Sequence, residues 1–381
     1  MLPEIRGREE LRRSIARTIA AGELPGSLLL HGPVGVGRQR LALWIAETLL
    51  CENADQNRGG CGECRSCRLV RRLEHPDLHW FFPLPRPKGT SGPERLAEAL
   101  ETARAERLAE RRRDPWREPM TGEPVGLYVA QVQTIRRLAQ PRPSMGRQKV
   151  FIIGDAEHLV PQESSPEAAN ALLKLLEEPP PQTTFLVTAS GPNTLLPTIH
   201  SRLLPIRVHP LSEGEIIEIL VEELEIDRGT ALSAARLAGG AIGRAIGFLP
   251  TGGKAGPLER VRSEARQLLE VIAERTSTGR LAAAHRISPS GARGEFTAKL
   301  EALSTWIRDL GAVANGANDL IVNSDAEEFL TRTARQLPGA DRRIGEALLT
   351  IEEAQDLALG NVNPQLIMAW LLKRLRQVLT G

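Results

Sequence analysis

The sequence predicts an α/β fold: a parallel five-stranded sheet with helices on both faces, followed by a purely helical C-terminal part. Two observations predict it. Aromatic residues make up only 3% of the 381-residue chain, and long segments are rich in Ala, Leu, Glu and Arg, so helix should dominate. Five short apolar runs stand apart from these segments: Ser27 to His31, Asp77 to Phe82, Val150 to Ile153, Thr184 to Thr188 and Pro205 to Val208. Short buried strands alternating with helical patterns imply a parallel sheet covered on both sides.

The elements follow in order. A first helix is expected over Arg8 to Ala20, where Leu11, Ile15 and Ile19 repeat every four residues on one face. Another begins after Gly37 with Leu41, Ile45 and Leu49, and a third, Ala168 to Glu178, must stop at Pro179, Pro180 and Pro181. The sheet domain, residues 1–209, ends near His209. Ser212 and Glu215 then have capping-box spacing and open a helix through about Leu224, the start of a small helical lid over 210–250. Leu249 to Pro257, with three glycines and two prolines, reads as a linker. Residues 257–381 carry only helical patterns, such as Glu295 to Leu310 and Pro364 to Val378, and form an all-α domain. Residues 83–124 interrupt the sheet domain; the charged stretch Glu94 to Arg113, with Leu96, Leu100 and Ala103 as its stripe, is expected to be a solvated, protruding helix.

Charged residues at 25% and hydrophobic ones at 41% are ordinary for a folded chain, and no apolar run approaches the roughly 20 residues needed to cross a bilayer. Met1 to Arg13 lacks the apolar stretch of a secretory signal, so the expected compartment is the cytoplasm, with no membrane partner. The formal charge is only +2, so no global basic field drives nucleic-acid binding, and any DNA contact must be local or shared with partners.

All four cysteines, Cys51, Cys61, Cys64 and Cys67, lie in one short stretch, with Gly59, Gly60 and Gly62 between them to make tight turns. Four thiolates at such spacing match a closed, structural zinc site without an open position for catalysis. Disulfides and unrelated thiols are the bland alternatives, and an iron–sulfur cluster is a further one, since four-thiolate sites serve both metals.

His31 to Gln39, HGPVGVGRQ, lies between a strand and a helix, where a phosphate-binding loop belongs. Gly32 and Gly37 keep the frame, with Gly35 between them, but Arg38 replaces the lysine that reaches the terminal phosphates and Gln39 replaces the hydroxyl residue that holds Mg²⁺. After the strand Val150 to Ile153, Asp155 stands where a Mg²⁺-holding aspartate would, but Ala156 has no proton acceptor and Glu157 would point another way. These three departures argue against ATP hydrolysis. Alternatively, Asp155 merely caps the helix that follows.

The glycine loop, the four-cysteine insertion after the next helix and the run AANALLKLLEEPP from Ala168 to Pro180 together resemble the bacterial clamp-loader ATPases of the AAA+ class. The resemblance covers Ile5 to about Gly247 by motif and, more loosely, the C-terminal helices, where Asn361, Asn363 and Leu366 resemble the family's collar. It implies an AAA+ domain, a lid and a collar. The altered loop resembles the non-hydrolysing δ′-type branch rather than the γ/τ motors, so ATP and Mg²⁺ are doubtful in the chain's own pocket. Implied partners are the γ/τ and δ subunits, the sliding clamp and, through the complex, primed DNA. The family carries a Ser-Arg-Cys signature whose arginine reaches a neighbour's ATP; Ser201 and Arg202 match it and Leu203 replaces the Cys, which makes Arg202 the implied arginine finger. By the same resemblance Thr188 takes the place of a terminal-phosphate sensor and Arg244 that of the lid-domain sensor. Two alternatives are a γ/τ-like motor that uses Arg38, and a zinc-dependent DNA-binding module in which Arg58, Arg65 and Arg68 flank the cysteines.

Overall fold

The computed structural model describes residues 1–89, 92–116, 125–159, 167–288, 293–360 and 362–380, with backbone alone at 167–171, 293 and 359. The chain forms two compact units, the larger drawn mainly from residues up to 246 and the smaller mainly from 247 onward.

The larger unit begins with α1 (Glu9–Ala20), β1 (Ser27–His31), α2 (Arg38–Leu50) and α3 (Arg65–Arg71). Next come β2 (Leu78–Phe81), β3 (Leu84–Pro85), α4 (Pro93–Arg113), β4 (Val125–Gly126), α5 (Val129–Ala139) and β5 (Lys149–Ile153). It continues with α6 (Glu167–Glu177), β6 (Thr183–Ala189), α7 (Pro197–His200) and β7 (Leu204–Arg207), and the chain then runs through α8 (Glu213–Leu224), α9 (Arg228–Ala238) and α10 (Ile242–Phe248). The five expected apolar runs are β1, β2, β5, β6 and β7. They pair in parallel in the order β2-β5-β6-β1-β7, while β3 and β4 form a small antiparallel ribbon.

Every residue of β5 and β6 is buried, as expected of strands covered on both faces. Alternation sorts their side chains: Leu28, Leu30, Val150, Ile152 and Leu186 pack with α1 and α2 on one face, and Leu29, Phe151, Ile153, Phe185 and Val187 pack with α5 and α6 on the other. The register places Leu30 opposite Thr188 and Ile153 opposite Val187, which brings the carboxyl ends of β1, β5 and β6 to one rim. Ligand sites of open α/β sheets lie on that rim. At α8 the predicted capping box is present: Ser212 Oγ accepts from the Glu215 amide at 3.2 Å and the Ser212 amide donates to Glu215 Oε2 at 2.8 Å.

The inserted segment differs from expectation. Its helix, α4, does not protrude freely but packs against α5 and β3, with Leu100 only 1% exposed in the core shared with Trp80 and Phe82, while the rest of the helix keeps solvent contact. Arg104 lies over the Phe81 ring at 4.6 Å, and its Nη1 donates to the Trp80 carbonyl at 3.5 Å. The reason is the sheet edge itself, whose unpaired backbone groups and aromatic side chains need a cover. Arginine supplies it, because a guanidinium stacks on rings while its stem lies on apolar surface. Residues 90–91 and 117–124 of the insertion fall outside the described residues.

The smaller unit holds α11 (Pro257–Ala273), α12 (Ser277–His285), α13 (Arg293–Ala314), α14 (Glu327–Gln336), α15 (Ile344–Leu359) and α16 (Pro364–Thr380), with no strand from 257 onward among the described residues. Trp306 fills its core against Phe329, and the buried carboxylate of Asp309 is satisfied by the Val322 and Asn323 amides and by the Asn323 side chain. Asn363 and Leu366 lie at the start of α16, with Leu366 66% exposed, and Asn361 lies outside the described residues. Among the described residues no helix is long and apolar enough to cross a membrane.

Candidate functional site

β1 runs straight into the glycine loop, and α2 starts immediately after it. Gly32 passes so close to the neighbouring strand end that a Cβ there would sit 2.4 Å from the Val208 carbonyl, and Gly37, with φ of 98°, turns the chain into the helix. The frame of a phosphate cradle is therefore built as the sequence suggests. Its charged groups point elsewhere.

Arg38 does not face outward. Its side chain is only 6% exposed and folds back, with Nη1 donating to the Gly32 carbonyl at 2.9 Å and Nη2 to Asp155 Oδ1 at 2.9 Å. Gln39 Nε2 donates to the other oxygen, Asp155 Oδ2, at 2.7 Å. The Asp155 amide in turn donates to Oγ1 of the fully buried Thr188 at 2.9 Å. The residue that would meet phosphate and the residue that would meet Mg²⁺ thus neutralise each other. Both carboxylate oxygens of Asp155 thus accept from these side chains, Oδ1 from Arg38 and Oδ2 from Gln39. Glu157 does point away, accepting from the Ser190 amide at 3.0 Å.

The start of α10 closes the remaining side. The Gly243 amide donates to the Gly35 carbonyl at 2.9 Å, and a Cβ on Gly35 would be 3.1 Å from Arg244 Cγ. Gly32, Gly35, Gly37, Arg38, Gln39, Asp155, Thr188 and Arg244 are therefore brought together at one rim of the sheet. Two members of the cluster were not anticipated. Arg8, in a left-handed conformation, donates to the Val36 carbonyl at 2.5 Å and the His209 carbonyl at 2.9 Å, and burial lowers its pKa. Arg111 of α4 donates from Nη1 to Gln39 Oε1 at 3.3 Å. Neither carries a sequence signal, since each acts on residues far along the chain.

A stability prediction arises here. Arg38→Ala removes the ion pair with Asp155 and the bond to the Gly32 carbonyl, and the expected cost is about 3 kcal/mol, the low end for a broken buried pair because Asp155 keeps 23% exposure. Chemical denaturation of the two proteins checks it, and an unchanged midpoint would contradict it.

Arg202 lies apart from this cluster, just after α7. Nε donates to Glu177 Oε2 at 3.0 Å and Nη1 to the Thr198 carbonyl at 2.7 Å, with side-chain exposures of 29% for Arg202 and 55% for Glu177. Leu203, in the place of the family's Cys, is buried in the core and pins the turn. Next to this segment His31 is held below its usual pKa by burial and by the positive charge of Arg207, His200 and His209. The arginine is held by its ion pair with the exposed Glu177, of a kind that contributes about 0–1 kcal/mol, and by its bonds to the Thr198 carbonyl and Ser201 Oγ. A phosphate oxygen could replace Glu177 at small cost.

The four cysteines form a third cluster, with all Sγ atoms within 4.8 Å of one another. Cys51 and Cys64 are 3.9 Å apart and Cys61 and Cys67 4.0 Å, all as free thiols. Backbone amides of Cys61, Cys64 and Cys67 donate to the sulfurs of Cys51, Cys61 and Cys64 at 3.3 to 3.4 Å. Burial raises the Cys61 pKa, but the amides of Cys64 and Glu63 outweigh it and hold the thiol down at about 7; burial pushes Cys67 up. This set could hold a metal ion. The Gly59–Gly60 turn seats the cluster on α2, with the Gly60 amide donating to Thr48 Oγ1 at 3.2 Å and no room beside Trp44 for a Cβ on Gly59.

Comparison with known proteins places the chain beside subunits of DNA polymerase III. DNA polymerase III subunit delta' of Pseudomonas aeruginosa is 32% identical over 224 residues, which is 55% of this chain and 55% of the relative. The Escherichia coli subunit of the same name is 29% identical over 226 residues, 59% of this chain and 55% of the relative. DNA polymerase III subunit tau/gamma of Haemophilus influenzae is 26% identical over 221 residues, 58% of this chain but 25% of the relative. The chain spans about half the length of the curated delta' relatives it matches. The family model described as "DNA polymerase III, delta subunit" matches residues 7–212, more than half of the chain, and the chain belongs to that family.

Proposed function

We propose that this chain is a δ′-type, non-hydrolysing subunit of a bacterial replicative clamp loader. The observation that carries the reading is the Arg38–Asp155 ion pair, sealed by Gln39. With Arg38 and Asp155 satisfying each other, neither is available in this arrangement to meet nucleotide phosphate or Mg²⁺. ATP and Mg²⁺ are accordingly not expected to be turned over here, and the sheet domain serves as a rigid platform.

Arg202 is then the group that acts, in trans, on ATP held by an adjacent γ/τ subunit. A guanidinium suits this role because it is permanently charged and can bond two phosphate oxygens as charge develops on the transferred group. What supports the assignment is the Ser-Arg match at Ser201 and Arg202 together with a side chain that keeps 29% exposure beside an exposed Glu177. The remaining partners are a δ subunit, the sliding clamp and, through the assembly, primed DNA. Residues 1–209 are the AAA+ domain, 210–250 the lid and 257–381 the collar that joins the subunits in the cytoplasm.

The cysteine cluster is a structural zinc site. Tetrahedral ligation with Zn–S bonds of about 2.3 Å needs sulfurs about 3.8 Å apart, close to the two short separations of 3.9 and 4.0 Å. With four protein ligands the ion has no open position, so it supplies folding energy rather than chemistry. Mixing the purified chain with γ/τ-type and δ-type subunits tests the whole proposal: the expected result is one complex on size exclusion whose DNA-stimulated ATPase is lost when this chain is omitted. A chain that stays monomeric, or an ATPase indifferent to its presence, would refute it.

A further inference from the structure

We propose that the inserted helix α4 is a built-in cover that holds the phosphate cradle closed, with Arg111 as the positioning residue that acts on Asp155 through Gln39. This rests on the reading of a non-hydrolysing cradle and adds what keeps that cradle shut.

The arrangement is specific. The Arg111 guanidinium lies over the rings of Trp80 at 4.3 Å and Phe82 at 4.7 Å, which fixes the plane of its donors. From there Nη1 reaches Gln39 Oε1, 72 residues away in sequence, at 3.3 Å. An amide has one accepting and one donating end, so engaging the oxygen turns the nitrogen toward Asp155, where it donates at 2.7 Å. Asp155 is thereby gripped from both oxygens, by Gln39 and by Arg38. The space is filled as well: a Cβ on Gly154 would lie 3.0 Å from the Gln39 amide carbon. A divalent cation seeking Asp155 would have to part these bonds beside two guanidiniums, which repel it. The cover does not depend on Arg111 for its own attachment, because Leu100 and Arg104 anchor α4 to the β2 edge independently.

Hydrogen exchange on the full chain tests this. Arg111→Met keeps apolar contact with Trp80 and Phe82 but removes the donor and the charge; Arg111→Lys keeps the charge but not the planar fork. With Arg111→Met, amides over 32–39 and 154–159 should exchange faster by about tenfold, the change expected for losing one charge-assisted hydrogen bond from a local opening. Arg111→Lys should fall between Met and wild type. Amides over 96–104 should stay protected. Loop exchange within about twofold of wild type, with 96–104 still protected, would overturn the proposal. If 96–104 opens too, the double variant decides: in a Gln39→Ala background, Arg111→Met should add nothing to exchange over 154–159 if Arg111 acts through Gln39, and a further increase of about tenfold there sinks the proposal. ATP turnover by the wild-type chain would refute the non-hydrolysing reading without changing these exchange rates, so the two failures are distinguishable.

Discussion

Cys67→Ser is expected to abolish metal retention and to loosen residues 51–72 while the rest of the sheet unit stays folded. Cys67 is the fully buried member of the four, and its amide donates to Cys64 Sγ at 3.4 Å, so its sulfur closes the cluster from within. Serine cannot replace a thiolate to zinc, and three remaining ligands leave the site open. Zinc binding contributes roughly 10–16 kcal/mol in isolated finger peptides, so little would hold these turns without it. Because the module is seated on α2 through Trp44, Thr48 and the Glu47–Arg71 ion pair, part of the loss is transmitted to the sheet unit. A fall in Tm of about 5–10 °C corresponds to a few kcal/mol in a unit of this size. Metal analysis should give one zinc per wild-type chain and none in the variant. Affinity should also fall with pH, since protons compete for the thiolates. A variant that retained a full complement of zinc would show that the cluster is not the site.

The second large effect concerns Arg202→Ala. In a reconstituted loader the variant should assemble normally, because the Arg202–Glu177 pair is exposed and contributes little to stability, while buried Leu203 keeps the turn in place. Turnover at the adjacent γ/τ site should drop by about 10³-fold or more, the usual contribution of an arginine finger. In an assembly with several active sites the total rate falls less, so the measurement is cleanest where the other sites have been silenced. Arg202→Lys should recover only a fraction of the lost rate, because a point charge on a flexible stem does not present the planar fork. Undiminished DNA-stimulated turnover in the alanine variant would remove Arg202 from the mechanism.

The sheet and the cradle differ in how far the sequence reveals them. The sheet was legible because five apolar runs are short, β-rich and bounded by turn residues, and β1 begins and ends where its run does. The cysteines were legible because thiol spacing is a local property. The closed cradle was only half legible. The loss of the lysine and the hydroxyl residue can be read directly, but that Arg38 turns inward to Asp155, 117 residues away, depends on the pairing of β1, β6 and β5, which no periodicity encodes. The packing of α4 was hidden for a related reason: hydrophobic patterning counts arginine as a solvated residue, whereas here Arg104 and Arg111 sit over the Phe81 and Trp80 rings at 4.6 and 4.3 Å. Arg8 was invisible because its left-handed conformation and its bonds to Val36 and His209 exist only once the domain is folded.

Nucleotide handling by the purified full chain is the most direct test of the central claim, that a cradle whose Arg38 and Asp155 satisfy each other does not turn over ATP. Incubated with ATP and Mg²⁺, the chain should release no phosphate above the uncatalysed background, with or without DNA. Sustained, Mg²⁺-dependent turnover by the chain alone would contradict the account.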